Sequence, residues 1–409
     1  MSVSRFAIAL LAGLLATAVS AQTPAPQPVP APQPAPAAPA APMPAAPVPQ
    51  GKAWILMDHI SGQVLAGENF DEALNPASIT KVMTSYVVAA EMANGKIKPT
   101  DMVRISENAW RSGGAGTDGS YSALAINSQV PLDDVLHGLV IQSGNDAAIA
   151  LAEHVAGSEA AFVDLMNGYA AKLGMTRSHF ANAHGLTAEG HLMSARDIAI
   201  LGRAMISQFP DHYALYKIKE FTYGGIQQWN RNGLLWKDAS VDGLKTGHTD
   251  AAGYCLAASA KRGDQRLISV VLGIQTKSKS EGFKAREEGN LALLNWGFRF
   301  FETHSVYEAG KQVADQKLWR GEAETVALGV AQPLLVTLPR GRYADLKPSM
   351  DVPKQLVAPI TKGQQIGTVR LSLDGKVVAE RPLVALADVA EGGFFTRMND
   401  DFWLWWESE

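Results

Sequence analysis

Apolar and polar positions take three different textures along this 409-residue chain. Ala53 to Met57 and Gln63 to Ala66 read as two strands, joined through the hairpin signal Ser61-Gly62. A helical period follows, with Asn75 as its N-cap, Pro76 at its first position and Gly95 at its end. Pro131 to Gln142, Ala147 to Val155, Glu159 to Leu173 and Ala195 to Ile206 repeat that period, the last opened by the capping pair Ser194 and Asp197. Two apolar strands, Gly253 to Ala260 and Leu267 to Gly273, flank the turn Arg262-Gly263-Asp264, and a helix from about Phe283 to Phe301 closes the region. Strands at both ends of a helical block predict an α+β domain whose sheet unites distant segments.

From about Thr303 short β-like runs alternate with turns, and Asp374-Gly375 is a two-residue hairpin signal. A small all-β domain over residues 303–388 is expected. Residues 389–409 form an aromatic tail in which Met398, Phe402, Trp405 and Trp406 share one helical face. That face suits either a membrane interface or packing on the protein's own β-domain or a partner. Asp400, Asp401, Glu407 and Glu409 against Arg397 disfavour anionic lipid.

The beginning of the chain has another character. Arg5, the apolar run Phe6 to Ala18 and Val19-Ser20-Ala21 read as a signal peptide over residues 1–21, which implies export. Residues 22–51 form a Pro/Ala-rich linker that favours extended geometry and buries no core. A net charge of −4 and the absence of nucleic-acid-binding spacings argue against nucleic acid as a partner. Cys255 is the single cysteine, so no internal disulfide forms, and it reads as a buried residue on a strand. No metal-ligand spacing appears, and neither metal nor cofactor is expected.

Three short motifs stand in order: Ser78-Ile79-Thr80-Lys81, Ser143-Gly144-Asn145 and Lys245-Thr246-Gly247. The first two spacings each arise about once by chance in such a chain and the third roughly 0.1 times, so their placement matters more than their presence. Ser78 and Lys81, three apart at a helix start, share one face, and the Ser78 N–H is free to bind an oxyanion. Lys81 can act as base only when neutral; that requires a fall of roughly 3 pH units, by burial and a nearby cation such as Lys245. Ser143 between two helical runs can relay a proton to a leaving amine, while Asn145 positions Lys81 or the substrate amide. Lys245 and Thr246 offer a cation and a hydroxyl to a terminal carboxylate, Gly247 permits close backbone approach, and the His248 N–H can complete the oxyanion pair.

These motifs in this order resemble the serine penicillin-recognising enzymes. Asn75 to Lys81, Ser143 to Ala147, Asp242 to Thr249, Asn230 to Trp236 and Trp296 to Phe301 resemble, more closely, low-molecular-mass penicillin-binding proteins of the D-alanyl-D-alanine carboxypeptidase type. The resemblance implies a transpeptidase-like catalytic domain (antiparallel sheet flanked by helices plus a helical lobe) over residues 52–302, the β-rich domain, and an amphipathic C-terminal anchor. It implies removal of the terminal D-alanine from peptidoglycan stem pentapeptides through an acyl-enzyme on Ser78, acylation by β-lactam antibiotics, and a place in the periplasm or cell envelope. On that model Arg231 lies near the Lys245 strand and Arg286 helps hold the substrate carboxylate. A class A β-lactamase would need Glu-x-x-Asn between the second and third motifs, and none is there; Glu287 to Asn290 comes later. A D,D-endopeptidase and a non-catalytic wall-binding scaffold are the remaining alternatives.

Overall fold

The computed structural model describes residues 43–117 and 119–408. The expected signal segment and most of the Pro/Ala-rich stretch lie outside the described residues.

The central sheet consists of β1 (Ala53–Asp58), β2 (Val64–Glu68), β3 (Val241–Thr249), β4 (Gly253–Arg262) and β5 (Gln265–Ile274). Its order is β2-β1-β5-β4-β3 and every pairing is antiparallel, so the first strands join the last across the helical block, as the sequence pattern predicts. Both faces are covered, which explains why β4 and β5 read as continuous apolar runs. Ile55, Met57, Ile268 and Val270 point into one core with Val82 and Val87 of α1 (Lys81–Ala93), Ile149 of α2 (Asn145–Ala156), Phe162 of α3 (Glu159–Leu173) and Leu201 of α4 (Ala195–Gln208). Their sequence neighbours Trp54, Leu56, Leu267 and Val271 face the opposite core with Leu293 and Leu294 of α5 (Lys279–Phe300). Cys255 is buried on β4, and burial pushes its thiol up to about 11.

Several element boundaries differ from expectation. Asn75 caps no helix: a single 3-10 turn, Ala77–Thr80, precedes α1, and Ala77 at φ +49° interrupts any continuous start from Pro76. Pro131 ends a short strand paired with Met102–Arg104; the helix Leu132–His137 follows and widens into a π turn over Gly138–Gln142. Helix α5 begins at Lys279 because Ser278 caps it by accepting from the Glu281 N–H, ahead of the expected Phe283.

Strand β6 (Phe301–Tyr307) continues directly from α5, so the boundary expected at residue 302 falls inside a strand. The β-region that follows packs Val326, Leu328, Val336, Val369 and Leu383 into its own core. Its long hairpin turns at Asp374-Gly375, both with positive φ, as a two-residue primed turn demands. Buried Asp58 ties the two regions: it accepts from the Thr303 hydroxyl at 2.8 Å, and Ser61 meets Thr337 at 2.6 Å.

Candidate active site

One cleft of about 530 Å³ gathers Ser78, Ser143, Asn145, Arg231, Thr246, Gly247, His248 and Arg286 on its walls. Lys81 and Lys245 lie just beneath, 1% and 3% exposed. All ten residues singled out in the sequence therefore converge on one place.

The 3-10 turn carries Ser78 at its second position, and Lys81 opens α1 one turn later. The Lys81 Nζ donates to Ser78 Oγ at 3.0 Å, to Asn145 Oδ1 at 2.7 Å and to the His184 carbonyl at 2.6 Å. Three acceptors match the three protons of an ammonium. A neutral amine has two protons, which the amide and carbonyl oxygens can keep while the lone pair turns to the Ser78 hydroxyl. Burial lowers the Lys81 pKa from 10.5 to about 7, against the pull of Asp146, and Arg231 pushes it further down. Arg231 thus acts on Lys81 as a cation beside the expected Lys245, whose repulsion with Lys81 is mutual. Lys245 is itself driven well below its ordinary value, first by burial and then by Lys81, Arg231 and Arg286.

Ser143 sits at φ +68°, where the π turn ends and α2 begins. That left-handed kink presents its side chain to the cleft. Its hydroxyl makes no side-chain hydrogen bond among the described residues, and the partners of Lys81 are Ser78, Asn145 and the His184 carbonyl. Asn145 Oδ1 accepts from the Lys81 amine, the contact that its expected positioning role requires. Asp146, next in sequence, accepts from the backbone of Ser122 and Leu124 and so fixes the loop that roofs the cleft.

The third motif lies on β3, one of the sheet's two edge strands, which leaves one side free to pair with an extended backbone. Gly247 has a second task beside the expected one: a Cβ there would stand 2.7 Å from the Pro76 carbonyl, against the back of the Ser78 turn. Arg286 donates to the Arg231 carbonyl at 3.1 Å, while its Nε has no partner among the described residues. Burial brings the Arg286 guanidinium down to about 10. Glu287 on the wall is paired with Lys237 at 2.6 Å, which leaves the cleft strongly cationic and suited to an anionic substrate.

Sequence reasoning missed the loop that completes Lys81's coordination. Asn182 Oδ1 accepts from the Gly185 N–H at 2.7 Å and its Nδ2 donates to the Leu186 carbonyl at 2.9 Å, folding the chain so that the His184 carbonyl faces Lys81. The Asn182-to-Leu186 turn chemistry was the available signal. Lys279, Phe283 and Tyr254, also on the wall, carried none. Among the described residues no group of His, Cys, Asp or Glu is placed to hold a metal ion.

Comparison with known proteins agrees with this geometry. The family model described as D-alanyl-D-alanine carboxypeptidase, Peptidase S11, matches residues 40–276, and that of the penicillin-binding protein 5 C-terminal domain matches residues 301–391. The chain is 47% identical over 361 residues to D-alanyl-D-alanine carboxypeptidase DacA of Escherichia coli K12, spanning 88% of each chain. It is 49% identical over 358 residues to DacC of the same organism, spanning 87% of this chain and 88% of the relative. Penicillin binding protein 5 from Haemophilus influenzae superposes with a TM-score of 0.80 at 43% identity, over 85% of this chain and 99% of that one.

Proposed function

This chain belongs to the Peptidase S11 family of D-alanyl-D-alanine carboxypeptidases, and on that premise we propose that Ser78 is the nucleophile of a two-step hydrolysis releasing the terminal D-alanine of peptidoglycan stem pentapeptides. The observation that carries this reading is the buried Lys81 amine, 3.0 Å from Ser78 Oγ with its pKa lowered to about 7. Neutral Lys81 takes the hydroxyl proton as Ser78 attacks the penultimate D-alanyl carbonyl. The Ser78 and His248 N–H groups face the developing oxyanion, while Thr246, Lys245, Arg231 and Arg286 hold the terminal carboxylate. The leaving amine takes its proton from Lys81 through Ser143, and water then hydrolyses the ester. Penicillins acylate the same hydroxyl.

The test is D-alanine release from a stem pentapeptide by wild type and Ser78→Ala. Release by the wild type alone is expected; equal release by both sinks the assignment of Ser78, and no release by either sinks the activity.

We further propose that the protein works outside the cytoplasm, on the strength of the signal-like residues 1–21, and touches a membrane through α6 (Phe394–Ser408). Phe394, Phe395, Phe402, Trp403 and Trp406 are exposed on α6. Asp400 accepts from the Arg320 N–H at 2.6 Å and Asp401 lies 3.4 Å from the Arg320 guanidinium, so both acids are turned towards the β-region. This arrangement reduces the electrostatic objection raised by the sequence for two of the four tail acids, Asp400 and Asp401. Among the described residues no helix is long and apolar enough to cross a membrane.

A further inference from the structure

Helix α5 turns a second stripe of residues onto the cleft. Lys279, Phe283 and Arg286 are spaced i, i+4 and i+7, so they lie on one side of the helix, and all three line the cavity. Arg286 is the deep member, 5% exposed. Phe283 is 44% exposed, meets Tyr254 edge-on at 5.5 Å and lies 4.7 Å from the Arg286 guanidinium. Lys279 is exposed at the mouth. Neighbouring Lys237 and Lys284 are paired with Glu287 and Glu288, whereas Lys279 forms no ion pair among the described residues.

One carboxylate satisfies the deep end. A terminal D-alanine, with its carboxylate at Thr246 and Arg286, stops there and uses neither Phe283 nor Lys279. Lys279 and Arg286 are about 10 Å apart along the helix axis, with an aromatic surface between two cations. We propose that this stripe is a leaving-side subsite for a D-amino acid larger than alanine, whose aliphatic side chain lies on Phe283 and ends in an acidic group at Lys279. The inference rests on the carboxypeptidase reading and on Arg286 marking the carboxylate end. The chemistry is unchanged: the amide C–N bond breaks as the Ser78 ester forms, the amine leaves protonated, and water restores the hydroxyl.

The test uses the full chain and two acyl-peptides identical but for the last residue, D-alanine in one and D-2-aminoadipate in the other. The readout is the ratio of kcat/KM for the acidic leaving group to that for D-alanine. The ratio is expected to fall at least fivefold in Lys279→Ala, further in Lys279→Glu, and to be restored in Lys279→Arg. A ratio that stays constant, including one in which both rates fall together through loss of general anion attraction, overturns the subsite while D-alanine release leaves the proposed function standing. Release of neither amino acid by the wild type overturns both.

Discussion

On the proposed mechanism Lys81 has to lose a proton before it can take one from Ser78, and its burial makes that possible near neutrality. The fall from 10.5 to about 7 represents on the order of 5 kcal/mol. The folded state bears that cost in full below about pH 7, and it fades as pH rises towards 10.5, where the unfolded chain also loses the proton. Activity follows the neutral form, so kcat/KM should climb with pH through an apparent pKa near 7. Asn145→Asp would put a carboxylate at the oxygen now 2.7 Å from Nζ. An opposite charge so close raises a lysine pKa by about 1–3 units, so the acidic limb should move up and activity at pH 7 drop about fivefold or more. A limb that does not move would mean that Lys81 is not the titrating base. The residue types of this site were legible in the sequence because side chains carry motif signal. The His184 carbonyl left no mark of its own, since a backbone acceptor is independent of residue identity, and only the turn chemistry around Asn182 hinted at it. Nor was the part played by Arg231 legible, since that residue folds over from a distant segment to act on Lys81.

The Ser78 turn is held by elements remote in sequence, and this is where the pattern of apolar positions ran out. Ala77 adopts φ +49°, a left-handed conformation that costs about 1 kcal/mol or more for a non-glycine residue. Two glycines press on its outer side. A Cβ on Gly185, itself at φ +92°, would stand 2.0 Å from the Ala77 carbonyl, and one on Gly247 2.7 Å from that of Pro76. The expected helix start at Asn75 was therefore displaced by tertiary contacts, whereas the starts of α3 and α4, set by the local caps Ser158 and Ser194, fell where the sequence put them. Gly185→Ala should destabilise the fold by about 1–3 kcal/mol and shift the Ser78 turn. Labelling by a fluorescent penicillin should slow at least tenfold in protein that still shows native circular dichroism. Unchanged labelling would mean that the turn keeps its geometry without this contact.

At the scale of the whole molecule, the cleft, the β-region and the tail form a chain of supports ending in an aromatic face. The architecture was legible because strand periodicity survives at any distance, while the seam at Asp58, Thr303 and Thr337 was hidden in ordinary polar residues. The orientation of α6 was hidden too: composition shows its acids, but only the fold turns Asp400 and Asp401 to Arg320. With those two acids engaged, the proposed attraction to a bilayer would come from apolar burial, at about 1.5–3 kcal/mol for each fully inserted phenylalanine. Even partial insertion of Phe394, Phe395 and Phe402 supplies several kcal/mol, and tryptophan favours the interface as well. The full chain should therefore sediment with zwitterionic vesicles nearly as well as with mildly anionic ones. Phe402→Ser combined with Trp406→Ser should weaken that binding tenfold or more, and the tryptophan emission of the wild type should shift to the blue on adding lipid. Arg320→Ala should restore part of a dependence on lipid charge, because it frees the Asp401 carboxylate while Asp400 keeps its bond to the residue-320 backbone N–H. A wild-type chain that stays in the supernatant with both lipids would assign the aromatic face to a protein partner instead.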